Sequence, residues 1–384
     1  MSWWNPWSKK PSKIVAVIDI GSADVSAALV SIKDKRSEIL FHTESIVPDQ
    51  HEFNYDRRIR ELSKAVKKTL EGLLRQGVRA PDQYVCFLSS SFAVSQTKTL
   101  TYREDTPRPL SQKMLTGILK RGFDDFYSAN TNSEEDFYII ENKILEAKLD
   151  GYIVTDPLSR PAKEFKITQF LSGCPGEILR QFSRAIQSAG HSDKITFHTY
   201  TLASFSALRD YPAGGNSFIS IDVGGELTDV LVSVNGVLQE NISFPYGLNR
   251  IKRDLVKARG LLQAEITSHL AMHQKGMLAQ EAKEKLKYAL RGVKKNWLTG
   301  LKEALSYASA SSILPEKIIL TGDPLGGHIF LDWLTDDSMN KHTLGSSPFQ
   351  THHLKPGHYA EARATKSLPG AYLLMEAAFC EKIF

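Results

Sequence analysis

The feature that most restricts what this chain can become occurs twice: an apolar strand that runs into an aspartate and then glycine, in copies about 200 residues apart. The β-branched run Ile14 to Ile20 ends in Asp19-Ile20-Gly21-Ser22. Phe218 to Val223 ends in Asp222-Val223-Gly224-Gly225-Glu226-Leu227-Thr228. Each copy opens a meander, with Ala23 to Ile32 and Ile39 to Val47 as the further strands of the first, and Leu227 to Val234 and Val237 to Phe244 as those of the second. Asn235-Gly236 marks a hairpin in the second. Internal duplication of this kind predicts two like halves.

One Asp-x-Gly after a strand is an ordinary tight turn. Two copies, each heading a meander, point to a paired device. A glycine turn lets backbone N–H groups approach a phosphate, and a hydroxyl such as Ser22 or Thr228 adds a donor at low steric cost. The carboxylates of Asp19 and Asp222 would hold Mg²⁺ through water, because Mg²⁺ keeps several waters and takes one or two carboxylates beside phosphate oxygens. Two such hairpins face to face make a nucleotide clamp.

The rest of the chain bounds this reading. At 384 residues it is too long for one ordinary core and suggests two domains. The net charge of +5 is spread along the chain rather than gathered in a patch, so no nucleic-acid partner is expected. Cys86, Cys174 and Cys380 have no zinc-ligand spacing and read as reduced thiols. Asp19 interrupts the best apolar run, so no membrane span is expected, and the start does not read as a signal peptide; the expected location is the cytoplasm. No Gly-x-Ser-x-Gly, His-Glu-x-x-His or Walker-type Gly-Lys-Ser/Thr occurs.

Between the repeats, residues 81–172 change character. A polar stretch around Pro107 and Pro109 precedes strand-like segments at Phe137–Leu149, Gly151–Thr155 and Glu164–Leu171, which together read as a small inserted α+β unit. Ile59 to Leu74 and Ile178 to Ala189 show helical spacing, the second closed by Gly190 as a C-cap. Residues 251–309 read as largely helical. The charges from Glu281 to Lys287 read as a solvated face beside Leu286, Leu290, Val293, Trp297 and Leu301. His342, His352, His353 and His358 read as surface loop. Ile318 to Leu320 is a buried strand running into Thr321-Gly322-Asp323-Pro324.

These residues resemble the actin, sugar-kinase and heat-shock chaperone ATPases, and within them the bacterial FtsA and PilM type. Asp19-Ile-Gly-Ser is similar to the first phosphate loop of that family, Asp222-Val-Gly-Gly with Thr228 to the second, and Ile318 to Gly322 to its adenosine loop. The stretch Asn142 to Tyr152 with Asp156-Pro157 resembles the inserted SHS2-type subdomain, and His358 onward with Leu368-Pro-Gly the closing helix. The resemblance implies an α/β, actin-like (ribonuclease H-like) two-domain ATPase fold with a small inserted α+β subdomain. Subdomain 1A would be residues 14–80, 173–214 and 350–384; 1C, 81–172; 2A, 215–250 and 310–349; and 2B, 251–309.

The resemblance also implies ATP and Mg²⁺ as cofactors. Asp19, Gly21, Ser22, Asp222, Gly224, Gly225, Thr228, Glu265 and Gly322 would bind nucleotide, and Asp19 and Asp222 would position Mg²⁺ and an attacking water for a slow ATPase. Four residues depart from the pattern: Glu226 in place of a glycine, Thr267 in place of a lysine, and Asp323 and Pro324 in the adenosine loop. The implied role is an FtsA-like adaptor in cell division that self-associates into a homo-oligomer or filament through the inserted subdomain and meets a tubulin-like partner. The alternatives are a PilM-like component that binds an inner-membrane pilus protein, or a degenerate scaffold that binds no nucleotide. Residues 1–13 form an arm in which Trp3, Trp4, Trp7, Lys9 and Lys10 would meet the inner face of the membrane. Each lysine there contributes about 1 kcal/mol, so several copies or a membrane partner are needed for stable attachment.

Overall fold

In the computed structural model the described residues are 12–384, apart from 51, 77–78, 132–135, 212–214, 260–261, 311, 323–326 and 356–368. The N-terminal arm with Trp3, Trp4, Trp7, Lys9 and Lys10 lies outside them, as do Asp323, Pro324 and His358. No helix among the described residues is long and apolar enough to cross a membrane.

The duplication read from the sequence is present in the topology. One five-stranded sheet comprises β1 (Lys13–Ile20), β2 (Asp24–Lys33), β3 (Arg36–Ile46), β4 (Gln83–Leu88) and β9 (Ile195–Thr199), in the order β3-β2-β1-β4-β9. Another comprises β10 (Phe218–Val223), β11 (Thr228–Val234), β12 (Val237–Phe244), β13 (Lys317–Gly322) and β14 (Gln350–His353), in the order β12-β11-β10-β13-β14. Each is an antiparallel meander whose first strand also pairs with a parallel strand. In register, Asp19 pairs across to Phe87 and Asp222 to Thr321. The aspartates therefore occupy equivalent places near the carboxyl end of a central strand, where open α/β sheets place their ligands. The hairpin at Asn235-Gly236 has φ of 53° and 78°, the left-handed pair that a two-residue turn requires.

Strand β1 is buried along almost its whole length because helices cover both faces of its sheet. On one face pack α1 (Tyr55–Leu74) and α3 (Gly176–Gly190) through Leu62, Val66, Leu70, Phe182 and Ile186. On the other lie α4 (Tyr200–Arg209) and α9 (Ala371–Ile383), whose apolar residues share one core with Val15 and Val17 of the first sheet and with Phe218, Leu231 and Ile319 of the second. These two helices form the layer between the sheets. The outer face of the second sheet is covered by α5 (Leu248–Arg259), α6 (Gln263–Gln274), α7 (Gln280–Ser309) and α8 (Gly327–Leu334), packed around the fully buried Trp297.

The third sheet runs β5 (Val94–Pro109), β8 (Pro161–Pro175), β6 (Phe137–Leu149) and β7 (Tyr152–Ile153) in that order, and α2 (Gln112–Asn130) packs on it. Here the structure departs most from the sequence reading. The polar stretch around Pro107 and Pro109 is the end of a long strand at the sheet edge, where proline is tolerated because no ladder N–H is needed on the open side. Helix α2, which buries Leu115, Ile118 and Phe126, is an additional element. Glu164–Leu171 is the middle of a 15-residue strand, and Gly151–Thr155 contracts to two strand residues.

Two smaller corrections follow from packing. Gly190 is the last residue of α3 and the left-handed cap is His191, at φ 50°. Glycine is needed at 190 for space, since a Cβ there would lie 2.3 Å from the Tyr84 hydroxyl oxygen. His352 and His353 belong to β14, not to a loop.

Candidate functional site

The two aspartates converge beneath the loops that follow β1 and β10. Asp19 is 5% exposed and Asp222 8%. The Thr321 hydroxyl donates to Asp222 Oδ1 at 2.6 Å and the Tyr372 hydroxyl to the same oxygen at 3.0 Å. Burial, with the neighbouring Asp229, pushes Asp222 up to about 7. Burial, with Asp24 and Asp222 nearby, holds Asp19 well above the usual carboxylate range. Like charges this close in a dry site cannot all ionise.

A third acid completes the group. Glu376 on α9 is fully buried, and neither of its carboxyl oxygens has a hydrogen-bond partner. A buried carboxylate with no donor and another acid nearby is held towards its protonated form. Burial and Asp19 raise Glu376 well above its ordinary value. Tyr372 and Glu376 are four apart, hence on one face of α9, one aimed at each aspartate. The sequence reading assigned neither a role, although a single acid inside the apolar run Ala371 to Cys380 was the available signal. The free thiols of Cys86 and Cys380 are buried, and burial raises both, so they are inert.

The loops above these acids touch each other. Gly21 N–H donates to Asp24 O at 3.1 Å and Gly224 N–H to Leu227 O at 3.0 Å, so both are tight turns. Glu226 N–H donates across the cleft to Ser22 Oγ at 3.0 Å. A Cβ on Gly225 would lie 2.7 Å from Ala23 Cβ and 2.8 Å from Ser22 Oγ. The carbonyls of Gly224, Gly225 and Glu226 accept from the N–H groups of Leu248, Asn249 and Gly247 at 2.7 to 2.9 Å, so the amino end of α5 is satisfied by this loop.

The remaining expected ligands are engaged elsewhere. Thr228 is fully buried; its hydroxyl donates to Tyr246 O at 2.9 Å and accepts from Trp297 Nε1 at 3.1 Å. Glu265 is exposed and accepts from Leu262 N–H at 2.7 Å, capping α6. The Thr267 hydroxyl donates to its own helix at Gln263 O. Gly322, at φ 130°, is held against β10, where a Cβ would meet Val223 O at 2.7 Å.

A nucleotide polyphosphate needs N–H donors, cations and space between the loops. Here Gly224 and Glu226 N–H are already bonded, the loops are in contact, and the floor carries three acids. Among the described residues no group of three or more His, Cys, Asp or Glu is arranged to hold a metal ion. The loops as arranged are closed to the phosphates of ATP, although Asp19 and Asp222 are carboxylates of the kind that Mg²⁺ takes through water.

No family model matches the chain, and no curated protein matches it by sequence. Solved structures do match. A chain of a structure described as a PilM-PilN type IV pilus biogenesis complex superposes with a TM-score of 0.65 at 11% identity, covering 96% of this chain and 98% of that one. A Bacteroides thetaiotaomicron protein with an actin-like ATPase fold and unknown function gives 0.41 at 10% identity, over 97% of this chain and 98% of that one. The ethanolamine utilization protein EutJ from Carboxydothermus hydrogenoformans gives 0.42 at 13%, over 97% and 90%. The chain has the two-domain α/β fold of the actin-like ATPases.

Proposed function

We propose that this protein is an actin-fold scaffold that holds a membrane-embedded partner protein at the cytoplasmic face of an envelope assembly; a structure of a PilM-PilN type IV pilus biogenesis complex, to which the chain is similar in fold, supports the reading. The observation that carries the reading is the match along nearly the whole chain, at a TM-score of 0.65 and 96% coverage. The closed cleft agrees with a holding role, and no nucleotide step is part of the reading. Of the roles the resemblance implied, the pilus or secretion type is favoured over division.

Co-purification tests it. Affinity capture of the full chain from solubilised membranes is expected to recover an inner-membrane pilus or secretion subunit. Recovery of a tubulin-like division protein instead, in its soluble form, would move the protein to the division role.

A further inference from the structure

We infer that a charge-balanced cluster centred on Arg253 ties the two halves of this protein together across the cleft where the sequence leads one to expect a nucleotide. Arg253, on α5 of the second half, is 9% exposed. Its Nη1 donates to Asp49 Oδ1 and to Glu226 Oε1, each at 3.1 Å, and its Nη2 to Glu226 Oε2 at 2.6 Å. Asp49 belongs to the first half, just past β3. It also accepts from Gln263 Nε2 of α6. Arg58 of α1 stands behind it, with Nη2 at 3.7 Å and Nη1 donating to Pro48 O at 3.1 Å. Asn249 Nδ2 donates to Glu226 Oε1 at 3.1 Å.

The cluster faces two guanidiniums with two carboxylates, so it is balanced without an outside ion. It also accounts for Glu226, the residue that departs most sharply from the glycine expected in a phosphate loop. Its carboxylate turns to Arg253 rather than into the cleft, while its N–H reaches Ser22. Two further ties hold the second half: Ser90 Oγ, just past β4 of the first half, donates to Asp229 Oδ2 at 2.6 Å, and Asn241 Nδ2 donates to Ser95 O on β5 of the third sheet at 2.8 Å. A nucleotide would have to part Ser22 from Glu226 and enter above three buried acids, while the Arg253 guanidinium is already shared. Closure is therefore a property of the chain. The inference concerns the cleft alone and stands or falls independently of the partner reading.

Hydrogen exchange on the full chain, with and without Mg-ATP, tests it. In the wild type, exchange at residues 20–24 and 222–228 is expected to be the same in both conditions, with no heat of binding up to millimolar Mg-ATP. Arg253→Ala removes the shared guanidinium and leaves Glu226 with only the neutral Asn249 donor and Asp49 with Gln263 and the more distant Arg58, so both loops should exchange at least about tenfold faster, while β6 and β8 of the third sheet are unchanged. The charge-exchanged pair Glu226→Arg with Arg253→Glu should recover part of the protection. If Arg253→Ala does not fold, Arg253→Lys, whose single ammonium cannot fork between two carboxylates, should show intermediate loosening. Micromolar Mg-ATP binding that slows both loops in the wild type would overturn the inference, as would an Arg253 variant whose loops exchange at the wild-type rate.

Discussion

Asp222 shows how one residue can be bonded and still be a liability. Its carboxyl accepts two hydroxyl donors, yet burial lifts it to about 7 from an ordinary 3.8. A folded value above the unfolded one means that the native state binds the proton more tightly. Its stabilising contribution is complete below the unfolded value and is lost as pH rises through the folded one. Asp222→Asn keeps an acceptor oxygen for Thr321 and Tyr372 without the titration. The variant should melt above the wild type at about pH 8 and lose that advantage at about pH 4. Gly225 is the steric counterpart. Gly225→Ala drives a methyl into Ala23 and Ser22, and should cost about 1 to 3 kcal/mol in chemical denaturation. No loss there would mean that the loops are not in contact in solution.

Among the elements, β6 joins the third sheet to the rest of the molecule through Glu141. This buried side chain accepts from Ser172 Oγ at 2.5 Å, Thr199 Oγ1 at 2.6 Å and Thr199 N–H at 3.2 Å, with His198 Nδ1 at 3.3 Å. Thr199 caps α4, so a single carboxylate couples the inserted sheet, β9 and the helix layer between the main sheets. Glu141→Ala leaves several buried donors without a partner and should cost about 3 kcal/mol by urea titration. The elements best anticipated from sequence were those with a strong period. Phe137–Leu149 and Val237–Phe244 were anticipated with the bounds observed, and Trp297 and its neighbours fell on the buried face of α7. Strand β5 was missed because an edge strand buries little, so its sequence shows no apolar alternation to find. Helix α2 was missed because its four buried positions are set among polar residues that a lone sequence presents as loop.

For the whole molecule, the decisive fact is that one core spans both main sheets through α4 and α9. Neither half can close its inner face without the other. Unfolding followed by Trp fluorescence, which among the described residues reports Trp297 and Trp333 of the second half, should coincide with the far-ultraviolet dichroism of the entire chain. Two separated transitions would show that the halves are independent.

The sequence by itself determined the pair of meanders, the equivalent placing of Asp19 and Asp222, and the hairpin at Asn235-Gly236, because strand period and turn chemistry are local and were written twice. Tertiary structure alone decided what those aspartates meet. Tyr372, Glu376, Arg253 and Asp49 arrive from distant parts of the chain, and whether Ser22 and Thr228 face a ligand or a neighbouring backbone depends on how the halves close. Charge balance and burial are sums over such neighbours, and a linear pattern carries the terms without the distances.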